Sequence, residues 1–352
     1  MFKKLAACVR EYKKNSILAP IFITFEVLAE VVIPLLMAKL IDYGIDGNGG
    51  QGDLGYILKI GGLLVLCCLF SLSMGALSGR HAAIASTGFA KNLRHDMYHH
   101  AQSFAFSNID KFSTASMITR MTTDVTNVQN AYMMIIRSAV RCPTMLLFAL
   151  IMAFTVHAQL ALVFLIAVPI LAVGILIIMR SVHPIFRRAF KRYDKLNLTV
   201  QENLRGIRVV KAFVREDYET EKFKGISQDI YKDFKKAETI IAFNPPLMSF
   251  CSFACITAIS WLGARIIILS GGTAMSTGDL MSMLSYVMQI LMSLMMVSMV
   301  FMMIIMSRAS AERIVEILDE KSDLCDPENP VTEVKDGSID FDDVVFSYAR
   351  GD

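Results

Sequence analysis

The chain has 352 residues, of which 54% are hydrophobic and 19% charged, with a formal net charge of +3. Soluble domains carry less apolar and more charged residue than this, so most of the chain belongs in lipid. A net charge this small, with no single basic stripe, excludes nucleic acid as a partner.

The first segment, "MFKKLAACVREYKKN", is basic but is followed by no A-x-A-like site and by too long an apolar run for a signal peptide. It is expected as an amphipathic helix over residues 1–16 lying on the inner membrane face. Apolar runs of about 20 residues can cross a bilayer. Six are present, at roughly 17–41, 57–79, 137–156, 158–180, 245–270 and 280–306.

Within the first run, Glu26 and Glu30 lie four residues apart and share a helix face. A carboxylate at the bilayer centre costs about 2–3 kcal/mol on insertion scales. Such groups face a cavity or a partner. Two readings stay open: contact with a substrate or proton, or a tie to another helix, with Arg265 of the fifth run or a Ser or Thr as the other half.

The charges between the runs alternate. Segment 42–56 holds Asp42, Asp46 and Asp53 and no Lys or Arg, and neither His157–Gln159 nor 271–278 holds a Lys or Arg. Lys3, Lys4, Arg10, Lys13 and Lys14, then Lys91, Arg94, Lys111 and Arg120, then the basic 180–236 stretch, lie on the other side. The positive-inside rule then predicts six spans of the plasma (inner) membrane with both termini cytoplasmic.

The outer loops are short, whereas the inner ones run to about 57 and about 64 residues. Leu196, Val200, Leu204, Ile207, Val210 and Phe213 keep a helical period through the second of these. The spans therefore continue inward as helices. Some 25 residues at the helical rise would project roughly 35–40 Å. At the far end, Phe213, Tyr218 and Phe223 stand among Arg215, Glu216 and Asp217, the mixture of aromatic anchors and charged rim found at interfaces.

Three further clusters bear on chemistry. "HDMYHH" groups His95, His99 and His100, but a di-iron membrane enzyme needs several such boxes, and the remaining His81, His157 and His183 are scattered. A solvated helix face is expected there and no metal. None of the seven cysteines falls in an outer loop, so no disulfide is expected. Cys251 and Cys255 read as small buried thiols. In the sixth run Met288, Met292, Met295, Met299, Met302 and Met306 form one stripe. Flexible thioethers suit a surface for varied apolar ligands, and ordinary helix packing accounts for the stripe equally well.

Four stretches carry a family resemblance: "IPLLMAKLIDYGI", "FSNIDKFSTASMITRMTTDV", "ENLRGIRVVKAFVREDYETEKF" and "SRASAERIVEILDE". The chain resembles the transmembrane half of an ATP-binding cassette (ABC) exporter, the type with six spans fused to a nucleotide-binding domain. Ala115 after Thr114 departs from the Gly the family favours. The resemblance implies an all-α polytopic fold with cytoplasmic helix extensions and coupling helices. It divides the chain into a transmembrane domain at 17–309, a linker at 310–336 and the start of a nucleotide-binding domain at 337–352.

The coupling helices would map to about Ser107–Phe112, including Asp110, and Arg215–Lys222. "GSIDFDDVVFSY" resembles the first strand of the nucleotide-binding domain, with Tyr348 as the residue that stacks on adenine. No G-x-x-x-x-G-K-[ST] phosphate loop occurs in the sequence, so the chain reads as truncated. ATP and Mg²⁺ are expected in the intact protein and neither on this chain alone. The resemblance further implies a homo- or heterodimer with another ABC half-transporter, crossing of two spans onto the partner, and alternating access for an amphipathic, lipid, peptide or drug-like substrate. The competing reading is a membrane scaffold or sensor that docks a cytosolic partner without transport.

Overall fold

The computed structural model describes residues 2–47, 52–112, 114–322, 333 and 336–345. Six helical stretches are long and apolar enough to cross a membrane: Arg10–Ile45, Leu54–Gln102, Thr114–Val156, Ala158–Arg205, Glu216–Ser270 and Thr277–Asp319. The six expected spans are all there, and three single helices, Leu54–Gln102, Ala158–Arg205 and Thr277–Asp319, run well beyond bilayer thickness.

The helices are α1 (Phe2–Ala7), α2 (Lys13–Lys39), α3 (Leu54–Gln102), α4 (Phe106–Lys111), α5 (Thr114–Thr119) and α6 (Val125–Ile136) in the first half. The second half contains α7 (Ser138–Val156), α8 (Ala158–Arg205), α9 (Ile207–Ala212), α10 (Glu216–Ile241), α11 (Asn244–Ser270) and α12 (Thr277–Asp319). Two π-helical turns interrupt the series, at Leu40–Ile45 and Arg120–Asp124.

The principal core lies between α2, α7, α8, α11 and α12, with Val31, Ala149, Phe164, Ile259, Tyr286 and Ile290 fully or almost fully buried. Lipid offers no hydrophobic drive between helices, so close approach and interhelical hydrogen bonds hold them together. Tyr286 donates to the Val31 carbonyl at 2.9 Å and Ser293 to that of Cys142 at 2.6 Å. Where α2 ends and α12 begins, Asp42 accepts from the Ser276 hydroxyl at 2.6 Å and from the Gly278 amide at 2.8 Å. Gly278 is required there, because a Cβ would overlap the carbonyl of Ala38.

The expected single surface helix over 1–16 is broken. α1 ends at Ala7, and a 3₁₀ turn at Arg10–Tyr12 leads into α2. Leu5, Cys8 and Val9 are buried against Phe89, Leu93 and Ile314. Protein covers this apolar face, and that burial pushes the Cys8 thiol up to about 11. Cys251 and Cys255 are buried in the principal core as expected.

No strand occurs among the described residues. Ile339, Phe341, Val344 and Val345 are highly exposed and belong to no ladder. The strand expected at the start of 337–352 is thus absent from the described part, for a strand needs a neighbour to accept its backbone bonds. Tyr348 lies outside the described residues.

Candidate functional site: an ion-lined cavity and two inner tips

A cavity of about 640 Å³ opens between α2, α7 and α12, lined by Glu26, Arg137, Arg141 and Gln289 among its polar groups and by Met145, Met288, Met292 and Met296 among its apolar ones. Glu26 is buried and Glu30 half-buried. Both are held by one residue. Arg141 takes Glu30 with two bonds from Nη2, at 2.7 and 2.9 Å, and takes Glu26 Oε1 through Nη1. Of the two readings for the carboxylates, the tie to another helix is built, but its partner is Arg141 of α7 and not Arg265, which is exposed on α11.

Sequence reading missed Arg141 because it lies four residues into an apolar run that was counted as a span. The signal available was an arginine inside a span, which carries the same obligation to find a partner as the carboxylates do. Planar guanidinium geometry lets it serve both acids.

The Met stripe faces outward from the core. Met288, Met292, Met295, Met299 and Met306 are all exposed, so packing within this chain does not account for them. Met288 and Met292 line the cavity, while Met295 and Met299 continue the same face beyond it.

The inner ends are organised differently. The first tip is α4, Phe106–Lys111, which overlaps the segment Ser107–Phe112. Phe106 and Ile109 are exposed there, at 84% and 50%. Phe112 is buried under the Arg120 guanidinium, 5.0 Å from its ring centre. It anchors the tip instead of presenting a surface, which corrects its place among docking residues. Ser107 is exposed, and Asp110 belongs to the same helix.

This tip grips the exit of the sixth span. Asn108 Nδ2 donates to Glu320 Oε1 at 3.1 Å and to the Lys321 carbonyl at 3.0 Å. Lys111 pairs with Glu320 Oε2 at 2.7 Å, and His100 Nε2 meets the Glu320 carbonyl at 2.6 Å. Deeper in, the π-turn aims Arg120 and Asp124 at α12. Arg120 bonds the Arg313 carbonyl and pairs with Glu316, both at 2.8 Å, and Asp124 pairs with Arg313.

The Lys111 and Asn108 bonds hold the Glu320 carboxyl below its usual range. A depressed folded pKa stabilises above the unfolded value and is lost as pH falls through the folded one. Backbone hydrogen exchange across 106–111, taken relative to the intrinsic rate at each pH, should therefore stay slow from pH 8 down to pH 6 and rise through the acid carboxylate range. Glu320→Gln should raise it at neutral pH. Identical exchange in the two proteins at pH 7 would show that this contact does not hold the tip.

The second tip is shifted from the expected Arg215–Lys222. The separate short helix there is α9, Ile207–Ala212, and Arg215–Lys222 forms the boundary and first turns of α10. Gly206 ends α8, and Val214 takes φ 50° between α9 and α10. A β-branched residue in that region is strained, and the apolar period alone gave no sign of the break. Lys211 and Glu216 close the turn at 3.0 Å. Phe213, Tyr218 and Phe223 are 73%, 63% and 42% exposed, and Arg215 and Asp217 are exposed beside them.

Behind this tip, Val182, Ile185 and Ala237 form a separate small core confined to α8 and α10. Arg192 joins the two helices through Asp233 at 2.8 Å. No group of three or more His, Cys, Asp or Glu side chains placed to hold a metal occurs among the described residues. His95 and His99 rings sit 5.0 Å apart on the α3 surface.

These features define a polytopic transporter bundle with helical arms directed to one side. The family model for the ABC transporter transmembrane region matches residues 16–310, and the chain belongs to that family. It is 30% identical over 99% of its length to the uncharacterized ABC transporter ATP-binding protein YfiB of Bacillus subtilis (strain 168), covering 60% of that protein. It is 30% identical to the corresponding protein Rv1273c of Mycobacterium tuberculosis (strain ATCC 25618 / H37Rv), with 98% and 58% covered. It is 26% identical to the ATP-dependent lipid A-core flippase of Desulfotalea psychrophila (strain LSv54 / DSM 12343), with 94% and 57% covered. The chain spans about three-fifths of the length of these curated relatives.

Proposed function

We propose that this chain supplies the membrane path of an ATP-driven exporter that moves an amphipathic substrate by alternating access. The observation that carries the reading is the pairing of a half-polar, Met-walled cavity with two inner tips that expose Phe106, Phe213 and Tyr218 to solvent. Apolar aromatics at the end of a long polar hairpin call for a partner that covers them. Nucleotide-binding domains are that partner, in keeping with the ATP-binding relatives, and ATP with Mg²⁺ binds there.

The chain works as a dimer with another half-transporter, homomeric or heteromeric. The arm of α8 and α10, whose core is its own, reaches the partner's nucleotide-binding domain. The first tip is fixed to the exit of α12 through Glu320, so motion at the tip is passed to the helix that carries Met288 and Met292. Both termini lie in the cytoplasm, and the membrane is the plasma (inner) membrane. A scaffold that merely docks a cytosolic protein has no use for the cavity.

The reading is tested in proteoliposomes of the intact protein through Met292→Cys in a cysteine-free background. A membrane-impermeant maleimide should label this position from the inner side without nucleotide and from the outer side with ATP, Mg²⁺ and vanadate. Labelling that ignores nucleotide would sink the transport reading and favour the scaffold.

A further inference from the structure

We propose that the cavity between α2, α7 and α12 takes the headgroup of a zwitterionic amphiphile, its anion against Arg137 and its N–H-bearing cation against Glu26 Oε2 and Gln289 Oε1. The assignment rests on the cavity being the transport path, and it names the class of molecule that path accepts.

The charges come first. Glu26 and Glu30 are already engaged by Arg141, so the acids do not add up to a site for a simple cation. Arg137 also lines the cavity, is exposed and makes no ion pair among the described residues. It sits at the break between α6 and α7, with φ −111° and ψ −70°, one turn before Arg141, whose amide bonds its carbonyl at 2.9 Å. Two carboxylates and two guanidiniums sum to zero. A ligand of zero net charge leaves the cavity neutral, whereas a net anion or net cation leaves an uncompensated charge in a poorly solvated place.

The second observation is a set of unused acceptors. Glu26 is 8% exposed, yet its Oε2 has no hydrogen-bond partner. Gln289 Oε1, which belongs to another cavity-lining residue, is likewise without a donor. Buried acceptors without donors are rare and costly, and an ammonium with three N–H donors fits both.

Two glycines of α3 face the opposed charges. A Cβ at Gly75 would lie 2.9 Å from Glu26 Oε2, and one at Gly79 would lie 3.9 Å from Arg137 Nη1. These positions are one helical turn apart. Glu26 Oε2 and Arg137 Nη1 therefore both pack against α3 at positions about one turn apart.

The site's groups differ in depth. α7 runs 19 residues from Arg137 to the turn at His157, about 29 Å at the helical rise. From Leu54 to Gly75 along α3 the span is about 32 Å by the same measure. The hydrocarbon core is about 30 Å thick, so Arg137 stands level with one edge of it, while Gln289, counted from Thr277 at the start of α12, lies about 18 Å from the opposite edge. Met145, Met288, Met292 and Met296 line the same space and adapt to acyl chains of varied length.

The test titrates the intact protein in detergent with phosphatidylethanolamine, phosphatidylcholine and phosphatidylglycerol of identical chains, and counts bound lipid by native mass spectrometry. Phosphatidylethanolamine should bind about tenfold tighter than either of the others, in line with the strength of charge-assisted hydrogen bonds. Phosphatidylcholine has the charges but no N–H donor, and phosphatidylglycerol has the anion alone. Arg137→Ala should weaken phosphatidylethanolamine binding about tenfold without moving the unfolding midpoint, since no ion pair is lost. Gln289→Leu should shrink the preference over phosphatidylcholine.

Equal binding of the two zwitterions, tighter binding of phosphatidylglycerol, no saturable binding, or an unaffected Arg137→Ala variant would each overturn the assignment. ATP-dependent switching at Met292→Cys together with any of these results would leave the transport path standing and remove only the headgroup.

Discussion

Replacing Arg141 by Met is expected to lower the unfolding free energy of the membrane domain by about 3–5 kcal/mol, the range seen when one partner of a buried ion pair is removed. The substitution leaves Glu26 buried and Glu30 half-buried with no cation between them, and both acids lie on one face of α2. The triple change Arg141→Met, Glu26→Gln, Glu30→Gln should recover much of the loss, because neutral amides no longer need a counter-charge. Glu26→Gln or Glu30→Gln alone should cost less than Arg141→Met, since Arg141 keeps one acid. Thermal unfolding in nanodiscs reads all four variants. A midpoint for Arg141→Met equal to that of the unsubstituted protein would show that the ion triad does not hold α2 to α7.

The other large effect is expected at the second tip. Tyr218 is 63% exposed in this chain and supports no part of the fold. Truncating an aromatic anchor costs about 2 kcal/mol or more of docking energy. Tyr218→Ala in the intact protein should therefore bind ATP normally and keep its unfolding midpoint. It should lose most transport, with basal ATPase no longer stimulated by substrate. Phe112→Ala gives the contrast. Phe112 is 4% exposed beneath Arg120, so its loss should destabilise the first tip itself. Full transport by Tyr218→Ala would remove this residue from the coupling surface.

The spans were legible because water-soluble folds rarely need an apolar run long enough to cross lipid. The inner extensions were legible too, since Leu196, Val200 and Leu204 keep the helical period after the composition turns polar. What failed was local. The break at Gly206 and Val214 is a backbone event, and side-chain periodicity continues through it. Segment 1–16 was read as a helix lying on the membrane, yet Leu5, Cys8 and Val9 meet protein, because a sequence does not say whether an apolar stripe meets acyl chains or protein. Arg141 was hidden by the count of apolar neighbours around it. Glu26 and Glu30 were found by their charge alone, but which helix answers them depends on how α2 and α7 are rotated, and no periodicity reports that. Phe112 and Tyr218 look alike as aromatics near a tip. Only the position of Arg120 over one ring separates an anchor from a docking surface.

The central claim, that this chain pairs with a second half-transporter whose nucleotide-binding domain drives it, is tested most directly by Tyr218→Cys in a cysteine-free intact protein. A short homobifunctional maleimide is added together with a scanned set of single cysteines on the nucleotide-binding domain, and the products are sized on a denaturing gel. The expected product is a cross-link between two chains, formed from position 218 to the partner's nucleotide-binding domain and sensitive to ATP. A cross-link formed only within one chain, or none at any scanned position, would contradict the claim.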